Sequence, residues 1–498
     1  MNDDRIAPPP EQKPAARAPG GGMTRRGFLG TTAIAATAAS LAQADDSHQP
    51  NLFAYPDRLS YAPGETLRLH TSTNAATYDV TIERVGAARE VVWSRKGVVG
   101  REHPIPEDAS ANGCRWPVAL QIPIGDDWRS GYYEVVTTPD SHFVNHTGRR
   151  QNLQPYFVVR PPSSGAALKG RRAKILLQLS TNTDNAYNNW GGYSLYAYNG
   201  RDKVQGRRVS FARPMPGACI RRWELPFIEW CETQGIQLDY AVNNDLEMHP
   251  ELLDRRQLVV SVGHDEYWSK GMRDQLEAFI AGGGNVAFFS GNVACWQVRN
   301  EDNGLVCFKE YYRDDPLYRA EGPNPQLSTL WSHYLIDRPE NTLTGVGVLS
   351  GGFHKSHGQY MDGSGAFTVH RPGHWVFAGT GVGRGDEFGG EQSIVGYECD
   401  GCAFEMRDGL PTPTGVDRTP SDFEILATGP AKWGPEATLT WYERWPEDQQ
   451  GAACLGLHQH PGGGVVFTVG ATDWSHGLGK EPNPIVARIT RNVLEKLS

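Results

Sequence analysis

The residues with the greatest potential for chemistry are consecutive: His264, Asp265, Glu266 and Tyr267 follow an apolar run and Gly263. An imidazole can act as a base or as a metal ligand. A carboxylate beside aromatic side chains loses water, which raises its pKa toward the range of a general base. A tyrosine can bind a ferric ion as a phenolate, because a trivalent metal lowers the pKa of a phenol. Four adjacent side chains cannot all face one point, so we expect only some of them to reach a pocket.

A strand and a helix must position this turn. The run 258–262 predicts a buried strand, and Ser269 can cap a helix whose apolar face is Met272, Leu276, Phe279 and Ile280. Glycines at 282–284 end the helix, and 285–290 predicts the next strand. In open parallel sheets, ligands bind at the carboxyl ends of the strands. The alternative is structural: Asp265 or Ser269 caps the helix and His264 completes the strand end.

Further apolar runs at 173–179 and 237–242 also end in polar segments, which favours a doubly wound α/β sheet. The segment 180–196 after the first run contains Asn188, Trp190 and Tyr196. We expect these side chains to line a pocket for a polar organic ligand; the alternative is a surface loop with asparagine turns. After the last predicted strand, 465–469, the residues Asp473, Trp474 and His476 could complete the pocket.

The remaining organisation follows from shorter patterns. Period-two alternation and Pro/Gly turns over 51–160 predict an immunoglobulin-like β-sandwich, and the composition of 161–172 predicts a linker. Residues 173–498 form the predicted α/β domain, with β-rich insertions over 293–450 and a closing helix at 484–497. Within the insertions, 370–377 and 393–398 are predicted strands.

The N-terminal residues 1–44 resemble a twin-arginine export signal. Arg25 and Arg26 precede a weakly apolar run, and Ala42-Gln43-Ala44 has the form of a cleavage site. The alternative is a disordered tail. An export signal predicts a periplasmic or secreted protein.

Composition limits the partners. The chain has 498 residues and a net charge of -9, which gives no reason to expect nucleic acid or an anionic membrane surface. Eight scattered cysteines do not form the framework of a small disulfide-rich protein. Cys399 and Cys402 either form a local disulfide or remain unpaired thiols. A small-molecule substrate is the expected partner, and the choice between monomer and homo-oligomer stays open.

Several motifs together resemble the C-terminal region of the N,N-dimethylformamidase large (beta) subunit family. They are GHDEYWS, GGGNVAFFSGN, TNTDNAYNNWGGYSLY, WELPFIEW and GGVVFTVGATDWSHGL, and the resemblance covers about 173–498. It implies a sheet similar to glutamine-amidotransferase-like domains, preceded by a β-sandwich. It also implies a mononuclear iron held by two tyrosines and a glutamate.

The resemblance transfers one iron ligand directly. Tyr267 matches one tyrosine, whereas Phe227 stands where the second is expected. The glutamate is expected within 325–329, which contains none, and Glu321 and Glu398 are the substitutes.

Together these observations predict an exported hydrolase-like protein that acts on a small amide or related C–N bond, and the family resemblance implies assistance by iron. The predicted catalytic residues are His264, Asp265 and Glu266, with Glu266 or His264 as the base and Tyr267 as metal ligand or hydrogen-bond donor. The alternative is a non-catalytic protein on the same fold that binds a glycan or a peptide through its tryptophans.

Overall fold

The computed structural model describes residues 51–145, 148–162, 173–356, 359–360, 364–434, 439, 441–444 and 451–498. The predicted export signal at 1–44 and most of the predicted linker at 161–172 lie outside these ranges. Across the described ranges, every helix is too short or too polar to cross a membrane.

Two of the sheets of the N-terminal segment enclose an apolar core. Its elements are β1 (Leu52–Pro56), β2 (Ser60–Tyr61), β3 (Thr66–Thr73), β4 (Thr77–Val85), β5 (Arg89–Val99), α1 (Ala109–Asn112), β6 (Val118–Pro123), β7 (Gly131–Thr138), β8 (His142–Val144), β9 (Arg150–Asn152) and β10 (Tyr156–Val159). The sheets have the orders β1-β3-β6 and β2-β10-β7-β4-β5. The predicted alternation on β4 is confirmed, because Tyr78, Val80 and Ile82 are buried in the core between the sheets.

The second segment begins with alternating strands and helices. Its first elements are β11 (Ile175–Leu179), α2 (Thr181–Tyr187), β12 (Arg208–Ser210), α3 (Leu225–Thr233), β13 (Leu238–Val242), α4 (Asp245–Met248), β14 (Leu258–His264), β15 (Tyr267–Ser269), α5 (Lys270–Ala281) and β16 (Asn285–Gly291). A π-helical turn, Ile220–Glu224, leads directly into α3.

A long insertion follows β16. It contains β17 (Trp296–Glu301), β18 (Gly304–Val306), α6 (Asn341–Thr344), β19 (Gly347–Gly352), β20 (Lys355–Ser356), β21 (Gln359–Tyr360), β22 (Phe367–Val369), β23 (Glu387–Phe388), β24 (Cys399–Gly401), β25 (Phe404–Arg407), β26 (Leu410–Pro413), β27 (Glu424–Gly429) and β28 (Ala453–Gln459). The chain closes with β29 (Val465–Thr468) and α7 (Pro484–Leu497). The predicted closing helix therefore has the predicted bounds.

A nine-stranded sheet organises this segment, in the order β13-β11-β14-β16-β29-β28-β27-β22-β23. The strands from β13 to β29 in this order are parallel, and those from β28 to β23 continue the sheet antiparallel. One face packs on α3 and α7 and the other on α4 and α5, so apolar side chains of the central strands are buried on both sides. The Ser269 hydroxyl accepts a hydrogen bond from the Met272 amide and caps α5, as expected.

Some local predictions are wrong. The run 370–377 is not a strand: it forms a turn and a 3-10 helix, Trp375–Phe377, because Pro372 removes a ladder N–H. The run 393–398 forms turns that lead into β24. The segment 180–196 starts as the buried helix α2 and not as a loop, since the Asp184 carboxylate on this helix accepts the Gly217 and Cys219 amides.

All eight cysteines are free and buried, which agrees with unpaired thiols at Cys399 and Cys402.

A close approach of backbone to side chain fixes the end of β14. Gly263 has φ +80°, and a Cβ placed there would lie 2.2 Å from the Trp223 Cβ. Gly235 has φ +73° but would meet no atom within 4 Å.

We therefore expect Gly263→Ala to destabilise the protein more than Gly235→Ala. The left-handed backbone costs both variants about 1–2 kcal/mol, and the clash with Trp223 costs Gly263→Ala about 1–3 kcal/mol more. Denaturant unfolding of the two variants measures the difference. Equal losses in the free energy of unfolding would show that Trp223 moves aside without an energetic cost.

Candidate functional site

The end of β14 delivers His264 into a buried cluster of charged groups. His264 pairs in register with Gly291 of the parallel strand β16, which brings Asn292 alongside. The His264 Nε2 lies 2.6 Å from Glu398 Oε2 and 3.4 Å from Glu266 Oε2. The Asn292 amide donates to the same Glu398 oxygen at 2.8 Å. Glu398 comes from the insertion, directly before β24, so two distant parts of the chain build this cluster.

Glu266 is the most heavily bonded carboxylate of the cluster. It is 3% exposed. The Tyr196 hydroxyl donates to both of its oxygens, at 2.8 and 2.9 Å. The Trp296 indole donates to Oε1 at 2.7 Å. The Tyr267 hydroxyl in turn donates to the Tyr196 hydroxyl at 2.7 Å.

Lys309 places an ammonium group against the aromatic side of the same cluster. Its Nζ lies 3.3 Å from the ring centroid of Tyr196, 4.8 Å from that of Trp296 and 5.1 Å from that of Tyr267. Within the described residues, this buried Nζ has no hydrogen-bond partner. The Lys309 backbone has φ +53°, a left-handed conformation that is uncommon outside glycine and costs conformational energy.

Burial and neighbouring charges together set the protonation of the cluster. Burial lowers the pKa of His264, but the carboxylates of Glu398 and Glu266 outweigh it and raise the pKa to about 9. Burial raises the pKa of Glu266, and its neighbour Glu398 adds to the rise. Burial lowers the pKa of Lys309, against the attraction of Glu266. Burial also raises the pKa values of the Tyr196 and Tyr267 phenols far above 10.

Asp265 points away from this cluster. Its carboxylate accepts hydrogen bonds from Gln178, Asn243 and Ser261, at 2.8, 2.9 and 2.8 Å. These donors belong to β11, to the segment after β13 and to β14. Asp265 therefore ties strand ends together and lies apart from the cluster, and its catalytic role stays a prediction.

Asn188, Trp190 and Trp474 are also not brought to the cluster. Trp190 packs edge-on against Trp116 of the N-terminal segment. The buried Arg213 guanidinium donates to the carbonyls of Asn188 and Trp190 and so fixes their backbone. Trp474 is fully buried among aromatic side chains, with its indole bonded to Thr490. Of the predicted pocket residues in 180–196, only Tyr196 reaches the cluster.

Asp473 supports the cluster from one layer further out. Its carboxylate accepts the Trp223 indole N–H at 2.7 Å, and the Trp223 ring lies 5.3 Å from the His264 ring. His476 Nδ1 lies 3.8 Å from Asp473.

The expected positions of the missing iron ligands lie elsewhere. Phe227 is a core residue of α3 that packs on Phe289, with ring centroids 5.6 Å apart. The tyrosine whose hydroxyl lies next to that of Tyr267 is Tyr196, at 2.7 Å. Considering His, Cys, Asp and Glu alone, the described residues contain no group of three or more that could hold a metal ion.

Sequence reasoning missed Lys309, Trp296 and Asn292. Asn292 follows a predicted strand end and could have been included on that signal. Lys309 and Trp296 carry no local signal, because the fold of the insertion alone brings them to Glu266. Two surface clefts, of about 580 and 570 Å³, lie elsewhere and contain none of the clustered residues.

The His264–Glu398 pair makes stability depend on pH. Because the folded pKa of about 9 exceeds the ordinary 6.5, the stabilisation is complete below pH 6.5 and is lost as pH rises through 9. In metal-free protein we expect a loss of about 3 kcal/mol across this window. An NMR titration of the His264 imidazole and denaturant unfolding at several pH values measure it.

Glu398→Gln is the matched control for this titration, because it keeps the size of the side chain and removes its charge. It should move the His264 midpoint toward or below the ordinary value. A midpoint at or below 6.5 in the unaltered protein would contradict the prediction.

Comparison with known proteins identifies the family. The family model described as "N,N-dimethylformamidase beta subunit-like, C-terminal" matches residues 79–486, and so takes in β4 to β10 as well as the second segment. The N,N-dimethylformamidase beta subunit of Paracoccus aminophilus is 26% identical over 230 residues, and that of an Alcaligenes species is 30% identical over 224. Each alignment covers 37% of this chain and 28% of the relative. The family match spans most of the chain, and the chain therefore belongs to the N,N-dimethylformamidase beta subunit-like, C-terminal family.

Proposed function

We propose that this chain is an exported hydrolase that cleaves the C–N bond of small amides at Glu266. The observation that carries the proposal is a buried carboxylate with raised pKa, held by Tyr196 and Trp296 beside the His264–Glu398 pair. Family membership supports the reaction class, because the curated relatives are named as N,N-dimethylformamidase subunits. Export is supported by the paired arginines Arg25 and Arg26 before a weakly apolar run.

Amide hydrolysis needs a base for the attacking water, a donor for the developing oxyanion and a proton for the leaving amine. Glu266 suits the base, because burial raises its pKa. His264 does not suit that role: its Nε2 lies 2.6 Å from a Glu398 oxygen, which can only accept, so this nitrogen carries the hydrogen. We assign His264 the role of proton donor, and Glu398 and Asn292 the role of holding it in place.

The oxyanion donor of the proposal is Lys309. Its Nζ has no hydrogen-bond partner among the described residues, so its N–H groups can donate to another group. The rings around it exclude water, so an interaction with a developing negative charge would be stronger than in solution.

The side chains also fit the iron that the family resemblance implies. The hydroxyl oxygens of Tyr196 and Tyr267 lie 2.7 Å apart, and that of Tyr196 lies 2.8 Å from a Glu266 oxygen. Two phenols and one carboxylate are the expected ligand types, with Tyr196 in the role expected at position 227. We propose that these three residues would hold the metal through the two phenol oxygens and one Glu266 oxygen, which leaves the other Glu266 oxygen to act as the base. A bound iron would supply Lewis-acid polarisation of the amide carbonyl.

The glycan- or peptide-binding alternative needs exposed aromatic faces. Trp190, Trp268, Trp331 and Trp474 are each at most 2% exposed, so it would have to use half-buried tryptophans such as Trp375 or Trp433.

Glu266→Gln should abolish amide hydrolysis while the protein still folds. The amide keeps the shape of the side chain but cannot take a proton, so we expect kcat to fall by about 10²–10⁴-fold. Steady-state hydrolysis of a panel of small amides measures the effect. Glu405→Gln, on the exposed hairpin β25–β26, is the matched control and should retain activity. Retained activity in Glu266→Gln would remove Glu266 from the proposed mechanism.

Tyr196→Phe and Tyr267→Phe should each lower the iron content of protein exported through its own pathway. Each variant removes one proposed oxygen ligand and keeps the ring. Elemental analysis per polypeptide measures the change, and Tyr311→Phe, at an exposed tyrosine, is the control. Unchanged iron in both variants, or iron absent from the unaltered protein, would contradict the metal assignment.

A further inference from the structure

Arg222 stands over the outer side of the catalytic cluster. It belongs to the π-helical turn Ile220–Glu224, and such turns occur frequently at functional sites. Its guanidinium carbon lies 4.6 Å from the ring centroid of Trp223 and 5.6 Å from that of Tyr397. Both rings pack on the imidazole of His264, at 5.3 and 5.8 Å. Trp223 and Tyr397 therefore contact both this cation and the imidazole of His264.

The guanidinium of Arg222 is held by its stacking on Trp223 and Tyr397 and not by hydrogen bonds. Among the described residues it forms no hydrogen bond, and its nearest carboxylate oxygen, Asp473 Oδ1, lies 3.8 Å away. That oxygen accepts the Trp223 indole instead, at 2.7 Å. The other Asp473 oxygen accepts the Tyr397 amide at 3.2 Å. The Arg222 side chain is 28% exposed, so its donors can be reached from outside.

Other semi-buried or buried arginines of this segment are different. Arg213 donates to several carbonyls, and Arg273 donates to Glu277, Arg338 O, Pro339 O and Thr342. Their role is to tie the fold together. Arg222 is instead held by ring stacking, so its planar set of N–H donors is available to another group. Its charge also reaches His264, whose pKa it lowers against the carboxylates.

We propose that Arg222 binds a carboxylate of the substrate, so that the chain prefers amides with an anionic group next to the scissile bond, as in N-acyl amino acids. A guanidinium fork matches a carboxylate with two parallel hydrogen bonds, and stacking on Trp223 and Tyr397 orients the fork in advance. The part of this inference that concerns the amide rests on the proposed function. The contact between Arg222 and a carboxylate is independent of it.

The test compares two ligands that differ only in charge. N-acetylglycine carries the carboxylate, and N-isobutylacetamide replaces it with an isopropyl group of similar shape. Binding is measured by calorimetry, and hydrolysis by amine release, for the unaltered protein, Arg222→Gln and Arg222→Lys. We expect the preference for N-acetylglycine to fall by about 10- to 100-fold in Arg222→Gln. Arg222→Lys should lose part of it, because lysine keeps the charge without the fork.

Arg129→Gln is the control, since Arg129 is an exposed arginine of the N-terminal segment that pairs with Glu90. It should leave the preference between the two ligands unchanged, and thermal unfolding should show that all variants are folded. If Arg222→Gln lost affinity equally for both ligands, Arg222 would have only a packing role and the proposal would be overturned. The same holds if the unaltered protein shows no preference, or if it binds neither ligand. Arg222-dependent binding without hydrolysis of either amide would support this inference while contradicting the proposed function.

Discussion

The structure depends on the pairing of buried charges at the end of β14. His264, Glu266 and Glu398 are withdrawn from water, and isolated charges in such a place would be expensive. They persist because each has a partner of opposite charge or a set of hydrogen-bond donors. The surrounding elements are arranged to supply these partners. Tyr196 follows α2, Asn292 follows β16, and Trp296 begins β17.

The same constraint explains why Asp265 lies apart from the cluster. Side chains of consecutive residues point in different directions, and the alternation sends Asp265 into the sheet between its strand-end donors. A carboxylate that accepts hydrogen bonds from three donors holds its position and joins the strand ends that carry those donors. Glu266, one residue later, lies beside His264 and accepts hydrogen bonds from Tyr196 and Trp296, so its oxygens belong to the cluster.

The unit β14–α5–β16 could be predicted from the sequence, because its apolar runs, its Ser269 cap and its glycines are local signals. The closing helix could be predicted for the same reason. Lys309 could not be placed, and Glu398 could be named only as a substitute ligand through the family resemblance. The positions of both depend on the path of the insertion and not on their neighbours in sequence. The parallel strands β13, β11, β14, β16 and β29 agree with the expected doubly wound sheet, yet the insertion adds antiparallel strands to it, and the assignment to that class stays a prediction, as does the immunoglobulin-like class of the N-terminal segment.

The position of the insertion has a consequence for the order of folding. Neighbouring strands β16 and β29 are joined through the whole insertion, so their pairing closes a very long loop. Loop closure of this kind costs entropy before any contact repays it, and long-range parallel pairing is slow. The local unit β14–α5–β16 can form early, whereas Glu398 and Lys309 arrive with the insertion. We therefore expect the cluster to be assembled late, so that a partly folded chain would carry His264 and Glu266 without the residues that complete them.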